Sequence, residues 1–323
     1  MSDALSAHVA FMTISPRARA RLFTLARLLI SLLLLWILIR GFDFARLQET
    51  LRQANPFLIG AAAVVLVASP ATSLPRWAAI LRQLGHPIAR AALARALYVG
   101  AFFSQVLPST VGGDVWRVWA CSRAGVPLGM ATYSVLLERL AGVLAILLFV
   151  AAGLPSLLSH TGATLGTLVP WLAVVIAVVA GIAALVLIAE RNWATGLLAP
   201  LVGLGKAFAV IGRSPGTLGL MLVTGIAGQL VAVLAMYLIA RGVGAPLSFA
   251  DCAVTLAPAL LIAMVPVSLG GWGVREGAFA VILNYYDIPR EQAVTLSVLF
   301  GLALAASSLV GLVLWWRQPS APL

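Results

Sequence analysis

Two stretches of the chain carry the same residues at the same spacing. Leu107–Arg117 reads LPSTVGGDVWR and Val265–Arg275 reads VPVSLGGWGVR. Both follow P-x-x-x-G-G-x-x-x-R, through Pro108, Gly112, Gly113 and Arg117 in the first and Pro266, Gly270, Gly271 and Arg275 in the second. The chemistry such a set offers is anion binding. Pro ends an incoming helix, and a Gly pair permits close approach and unusual dihedrals. A helix starting just after the pair turns its free N–H groups and positive dipole end toward the tip. Anions bind at such ends. An arginine about one turn in adds full charge and a fork that fits phosphate.

Carboxylates accompany both motifs: Asp114 in the first and Glu276 in the second. Each reads either as local charge balance, with Asp114 as a helix N-cap, or as a group that meets substrate. Glu138 and Arg139 lie well inside an apolar run. A charge at that depth costs about 2.5–3.5 kcal/mol on insertion scales, so each needs a partner or a wet cavity. Pairing with motif charges such as Arg117 and Asp114 is the structural reading; a gate or proton-linked switch is the functional one. Adjacent side chains cannot share one helical face, so separate partners are expected. Trp116, Trp119 and Trp272 near the motifs read as interface or packing residues. No nucleophile–base pair accompanies the motifs, Cys121 and Cys252 are far apart, and His8, His86 and His160 are scattered. The expectation is therefore no enzyme, no metal and no cofactor.

The elements that hold these residues must be membrane helices. The chain has 323 residues, 62% hydrophobic and 10% charged, where soluble chains carry about a quarter charged residues. Several apolar runs exceed the ~18–20 residues that cross a hydrocarbon core, and they are continuous rather than alternating, which disfavours a β-barrel. The net charge of +11, nearly all Arg with Lys206 the lone Lys, sits mostly between apolar runs and fits orientation and anionic headgroups.

Long runs are expected at about Leu22–Arg40, Phe57–Leu84 (kinked at Pro70 and Pro75), Met130–Leu154, Leu168–Ile188, Leu218–Ala240 and Gln292–Trp316. Arg17, Arg19 and Arg21 precede the first, which reads as a retained helix rather than a signal peptide. Phe44, Leu47 and Leu51 predict a surface helix within Gly41–Pro56, and the basic stretch through Arg191, Lys206 and Arg213 a second interfacial one. Four pieces are undersized: Ala92–Leu107, Val115–Ala124, Ala250–Val265 and Gly277–Tyr286. Each motif falls between two of them.

Placing the N-terminus inside, positive-inside counting favours two re-entrant hairpins at these pairs. The lysine- and arginine-free stretch 155–167 then lies outside, and Arg76, Arg82 and Arg90 lie inside; Arg40, Arg46 and Arg52 go against the count. The predicted fold is an all-α polytopic membrane protein built as an inverted repeat: six full spans plus two hairpins, with eight plain spans as the alternative. Residues 1–21 form a cytoplasmic tail, 22–317 one membrane domain (repeats about 22–155 and 168–317), and 318–323 a C-terminal tail on the cytoplasmic side. Broken apolar segments at matching places in two halves point to a transporter site. Gly112, Gly113, Asp114, Arg117, Glu138, Arg139, Gly270, Gly271, Arg275 and Glu276 are its candidate residues, with both arginines expected in one central cavity.

With ERLAG at Glu138–Gly142 and PVSLGGWGVREG at Pro266–Gly277, these motifs give the sequence a resemblance to the transmembrane-domain family of lysylphosphatidylglycerol synthase, also described as flippase-like. The resemblance covers nearly all the chain. It implies a bacterial or archaeal cell-membrane protein that moves an anionic phospholipid or lipid-linked sugar between leaflets. A homodimer, or a partner membrane enzyme, fits the same resemblance. The fused synthases append a soluble aminoacyl-transfer domain. Few residues follow Trp316 here, so lipid aminoacylation is not expected. An intramembrane lipid-modifying enzyme and a scaffold for a partner glycosyltransferase or synthase are the alternatives.

Overall fold

The computed structural model describes residues 44–107, 111–161, 199–264 and 272–317, together with the single residues Leu29, Trp36 and Gly181. The expected runs at Leu22–Arg40 and Leu168–Ile188, and the motif tips with Pro108, Pro266, Gly270 and Gly271, lie outside the described residues. Among the described residues the chain is helical, without strands. The helices are α1 (Phe44–Gln53), α2 (Pro56–Val67), α3 (Ser69–Gln83), α4 (Arg90–Val106), α5 (Gly112–Arg123), α6 (Leu128–Thr161), α7 (Ala199–Gly212), α8 (Pro215–Gly242), α9 (Phe249–Ala263), α10 (Val274–Asn284) and α11 (Arg290–Arg317).

Local chemistry sets these boundaries. Asn55 caps α2 by accepting from Phe57 N at 3.0 Å, and Pro56 fills the first helical position, where no N–H is needed. The Asn55 N–H donates to Gly242 O at 2.7 Å, tying the start of α2 to the end of α8. Pro70 cannot donate to Leu66, and the helix breaks at Ala68 between α2 and α3. Pro75 stays within α3. Ser248 and Asp251 form a reciprocal capping box at the start of α9, with bonds of 3.1 and 2.8 Å.

Among the described residues, four helical stretches are long and apolar enough to cross a bilayer: Pro56–Gln83, Leu128–Ser156, Pro215–Gly242 and Arg290–Arg317, of 28 or 29 residues each. At 1.5 Å per residue each reaches about 42 Å, beyond a ~30 Å hydrocarbon core. The chain is a multi-pass α-helical membrane protein. Helices α5 and α10 have 12 and 11 residues and reach only about 18 and 16 Å, so neither crosses alone.

Packing follows a repeated scheme. α4 lies along α5, and α9 along α10. α5 rests on α6, and α10 on α11; α4 rests on α11, and α9 on α6. Each first arm therefore packs on the long helix of the other half. α8 covers both α2 and α3, and α2 also meets α11. With lipid as solvent, close helix approach depends on small residues. A Cβ on Gly113 would fall on the Gly100 carbonyl and Ser104 Oγ, and one on Gly311 would fall on the Tyr98 carbonyl. These two glycines set the spacing of α4 against α5 and against α11. One core joins α2 with α8–α11 around Met236, Ile239, Phe279 and Phe300. Another joins α3–α6 around Trp77, Leu81 and Leu93.

Candidate functional site

Glu138, on α6, is 4% exposed and sits between two arginines. Arg76, on α3, donates through Nε to Glu138 Oε1 at 2.8 Å and also through Nη2 to the same oxygen. Its Nη2 further donates to Ser73 Oγ at 2.8 Å. Arg117, on α5, donates through Nη1 to Glu138 Oε2 at 2.8 Å. The carboxylate thus ties three helices together. Its neighbour turns elsewhere: Arg139 pairs through Nε with Asp114 Oδ2, and Asp114 Oδ1 lies 3.6 Å from Arg117 Nη1. Adjacent residues on α6 therefore hold α5 through separate charges.

Arg117 is 7% exposed. Its guanidinium Cζ lies 4.2 Å from the ring centre of Trp77, a cation–π contact. Trp77 is itself fixed by donating Nε1 to Ser134 Oγ at 3.2 Å. One face and one nitrogen of Arg117 are thus engaged. Its Nε and Nη2 are buried and have no hydrogen-bond partner among the described residues. These two nitrogens share one edge of the planar group, the edge that grips a pair of carboxylate or phosphate oxygens. A buried donor left without a partner costs about 1–3 kcal/mol.

The second motif is closed. Arg275 donates through Nε to Ser297 Oγ at 3.1 Å and through Nη2 to Glu276 Oε1 at 2.8 Å. Ser297 Oγ also donates to Glu276 Oε1 at 3.0 Å. The remaining carboxylate oxygen, Oε2, accepts from Gly273 N at 2.6 Å, capping α10. Gly273 opens that helix at φ 84°, where a side chain would be strained. The equivalent edge of Arg275 is therefore fully used inside the protein.

A cavity of about 420 Å³ lies among α2–α6, α8, α9 and α11. That is the range of small-molecule sites. Gly113, Asp114, Arg117, Glu138 and Arg139 line it; Arg275, Glu276 and Gly112 do not. Of the two motif arginines, Arg117 lines this cavity, and Arg275 is buried against Ser297 of α11. Ser73, Arg76, Ser104 and Gln229 add polar groups, while Ile146, Leu260, Met264, Phe300 and Leu304 form an apolar wall. Among the described residues there is no cluster of three His, Cys, Asp or Glu able to hold a metal.

Two expectations, on Asp114 and Arg76, need correction. Asp114 is not an N-cap: Val111 holds that position without a side-chain cap bond, α5 already includes both glycines, and Asp114 sits in its first turn. Glycine at 112 and 113 serves packing, since a Cβ at Gly112 would come within 2.7 Å of Leu107 Cβ. Arg76 does not flank a membrane end; it is buried within α3, two turns before Gln83. Its place inside an otherwise apolar helix was the available signal. Ser297 and Trp77 carried none, because serine and tryptophan are common in such helices. Trp116 packs against Phe103 and Trp119, with ring centres 5.0 and 4.8 Å apart, and Phe103 meets Trp315.

An all-helical, multi-pass protein with a charged cavity among its helices defines the class as an integral membrane protein built around buried charged residues. The chain belongs to the lysylphosphatidylglycerol synthase TM region family, whose model matches residues 24–311. It is also similar to the glycosyltransferase AglD of Haloferax volcanii, 29% identical over 135 residues. That match covers 42% of this chain and 22% of the relative, so it spans about a fifth of the relative's length.

Proposed function

We propose that the protein is a flippase-like transporter that moves an anionic phospholipid or lipid-linked intermediate between leaflets, holding the phosphate on Arg117. The observation that carries this reading is the buried, unpartnered Nε–Nη2 edge of Arg117, a residue that lines a cavity with both polar and apolar side chains. Such an edge grips two phosphate oxygens. The apolar wall suits the chain attached to them. The start of α5, with Gly113 in the cavity lining, turns a positive dipole end the same way.

The architecture supports transport as well. We read α4–α5 and α9–α10 as two re-entrant hairpins in an inverted repeat, in a cell membrane with both termini cytoplasmic. The undersized α5 and α10 and the exchange of first arms between halves favour it. Broken helices meeting at mid-membrane are where transporters bind substrate.

The test is reconstitution with labelled phosphatidylglycerol, comparing leaflet exchange for wild type, Arg117→Lys and Arg117→Ala. Wild type exchanges the lipid and both variants lose most of that activity. Equal exchange in all three sinks the mechanism, and chemically altered lipid would point to an enzyme instead. A second reading, a membrane scaffold for a partner glycosyltransferase, draws on the likeness to AglD. It predicts that Arg117 is dispensable for the partner's activity.

A further inference from the structure

The two short helices that follow the motifs are held in different ways. α10 buries Ala278, Phe279, Ile282 and Leu283 in the larger apolar core, with Phe279 and Leu283 at 0% exposure. Moving it would open voids around side chains that are packed on all sides, and close-packed interiors resist that. α5 buries two apolar side chains, Ala120 and Cys121, both in its last turn. In its first half the buried residues are Gly112, Gly113 and Arg117, while Val115 is 63% exposed. That half meets α6 through two ion pairs, Arg117 with Glu138 and Asp114 with Arg139. The Coulomb gain of a buried pair is largely offset by the cost of desolvating it, so a contact built on charge is close to balance.

The pairing is also redundant in a particular way. Glu138 has a second partner, Arg76 of α3, which donates to Oε1 through Nε at 2.8 Å and through Nη2 as well. Arg117 has a second partner too, Asp114 of its own helix, 3.6 Å away. From this we infer that Gly112–Arg117 is a gate on the cavity, which opens from α6 by exchange of ion-pair partners. Closed, Arg117 holds Glu138 and Asp114 holds Arg139. Open, Arg117 keeps Asp114, which travels with it, and Glu138 keeps Arg76, which stays behind. Neither buried charge of the central pair is left alone in either state, which removes the main penalty for separating one. Arg139, 34% exposed along its side chain, is long enough to turn toward a polar region. The apolar last turn is the root of the movement. Against α4 the first half sets Gly113 beside Gly100 and Ser104, where no large side chain interlocks and a small sliding shift is open to it. α10 has no such exchange: Arg275 and Glu276 lie on the same helix and bond to each other.

The test is a pair of distances measured by pulsed electron resonance between nitroxide labels, on the full chain in phosphatidylcholine nanodiscs. Cys121 and Cys252 are first replaced by Ala. One label sits at Val223 of α8, 64% exposed, and the other at Val115 on α5 or at Val281 on α10, each 63% exposed. The Val223–Val115 pair shows two populations and the Val223–Val281 pair one. Glu138→Gln weakens the closed state and shifts the α5 populations toward the longer distance by at least about fivefold. Arg76→Gln removes the open-state partner of Glu138 and shifts them the other way by a similar factor; Arg76→Lys, which keeps the charge, moves them less. An unchanged Val223–Val281 distance in each variant shows that the fold is retained. A single α5 distance that no variant moves overturns the gate. Shifts of Glu138→Gln and Arg76→Gln in the same direction overturn the exchange of partners, and two populations at Val281 overturn the contrast between the helices. No ligand is present in these measurements, so their failure leaves the phosphate reading to the leaflet-exchange assay, and failure of that assay leaves the gate standing on these distances.

Discussion

Arg117 gives Glu138 one nitrogen, Nη1, at 2.8 Å, while its Nε and Nη2 are buried without a hydrogen-bond partner among the described residues. The carboxylate is shared with Arg76, so Glu138 is the point at which α3, α5 and α6 meet. The same bond that locks α5 onto α6 also sets the orientation of the unpartnered edge.

Glu138→Ala leaves two buried guanidinium groups without their shared partner. Removing one member of a buried ion pair costs about 3–5 kcal/mol, and the loss should appear as a lowered unfolding midpoint in detergent. Glu138→Gln keeps a hydrogen-bond acceptor but removes the charge, and should cost less than Glu138→Ala. If both variants melt with wild type, the cluster does not hold these helices.

Gly142 lines the cavity, and a Cβ built there meets nothing within 4 Å. Gly142→Ile should therefore narrow the cavity, with its Cβ clear of protein atoms. The expected outcome is strongly reduced lipid exchange with stability within about 0.5 kcal/mol of wild type, as for substitutions that disturb no packing. Unimpaired exchange in this variant would mean that the lipid travels by another route.

Gly113 tests the close approach of α4 and α5. A methyl group there would fall on the Gly100 carbonyl and Ser104 Oγ, and neither backbone nor a short side chain can move far. Gly113→Ala should separate α4 from α5 and destabilise by about 1–3 kcal/mol, the usual cost of overpacking. Gly219→Ala, where a Cβ meets nothing, is the matched control. A melting temperature equal to that of the control would rule out the close approach.

Much of this architecture was readable from the sequence. The long runs at Phe57–Leu84, Met130–Leu154, Leu218–Ala240 and Gln292–Trp316 appear as α2–α3, α6, α8 and α11, because about 20 contiguous apolar residues leave lipid few alternatives. The short runs appear as α4, α5, α9 and α10. Separate partners for Glu138 and Arg139 followed from helical geometry alone. The unequal fate of the two motifs did not. Arg117 and Arg275 occupy the same motif position, but Arg275 has a carboxylate next to it and Ser297 across from it on α11. Arg117 has its carboxylate on α6 and shares it with Arg76. Spacing along the chain carries no record of which distant helix supplies the partner.

That inequality gives the last prediction. Glu276 is fully buried and occupied on both oxygens, by Arg275 and Ser297 at one and by Gly273 N at the other. Glu276→Ala removes the counter-charge of a buried arginine and the cap of α10 together. It should destabilise by about 3–5 kcal/mol, comparable to Glu138→Ala. The two differ in binding. Because the Arg275 cluster does not line the cavity, Glu276→Ala protein that remains folded at low temperature should keep wild-type leaflet exchange of phosphatidylglycerol. Glu138→Ala should not, since it changes the cavity charge and frees Nη1 of Arg117. Exchange measured for both variants below their melting temperatures decides the matter: a loss in Glu276→Ala would bring the second motif into the site.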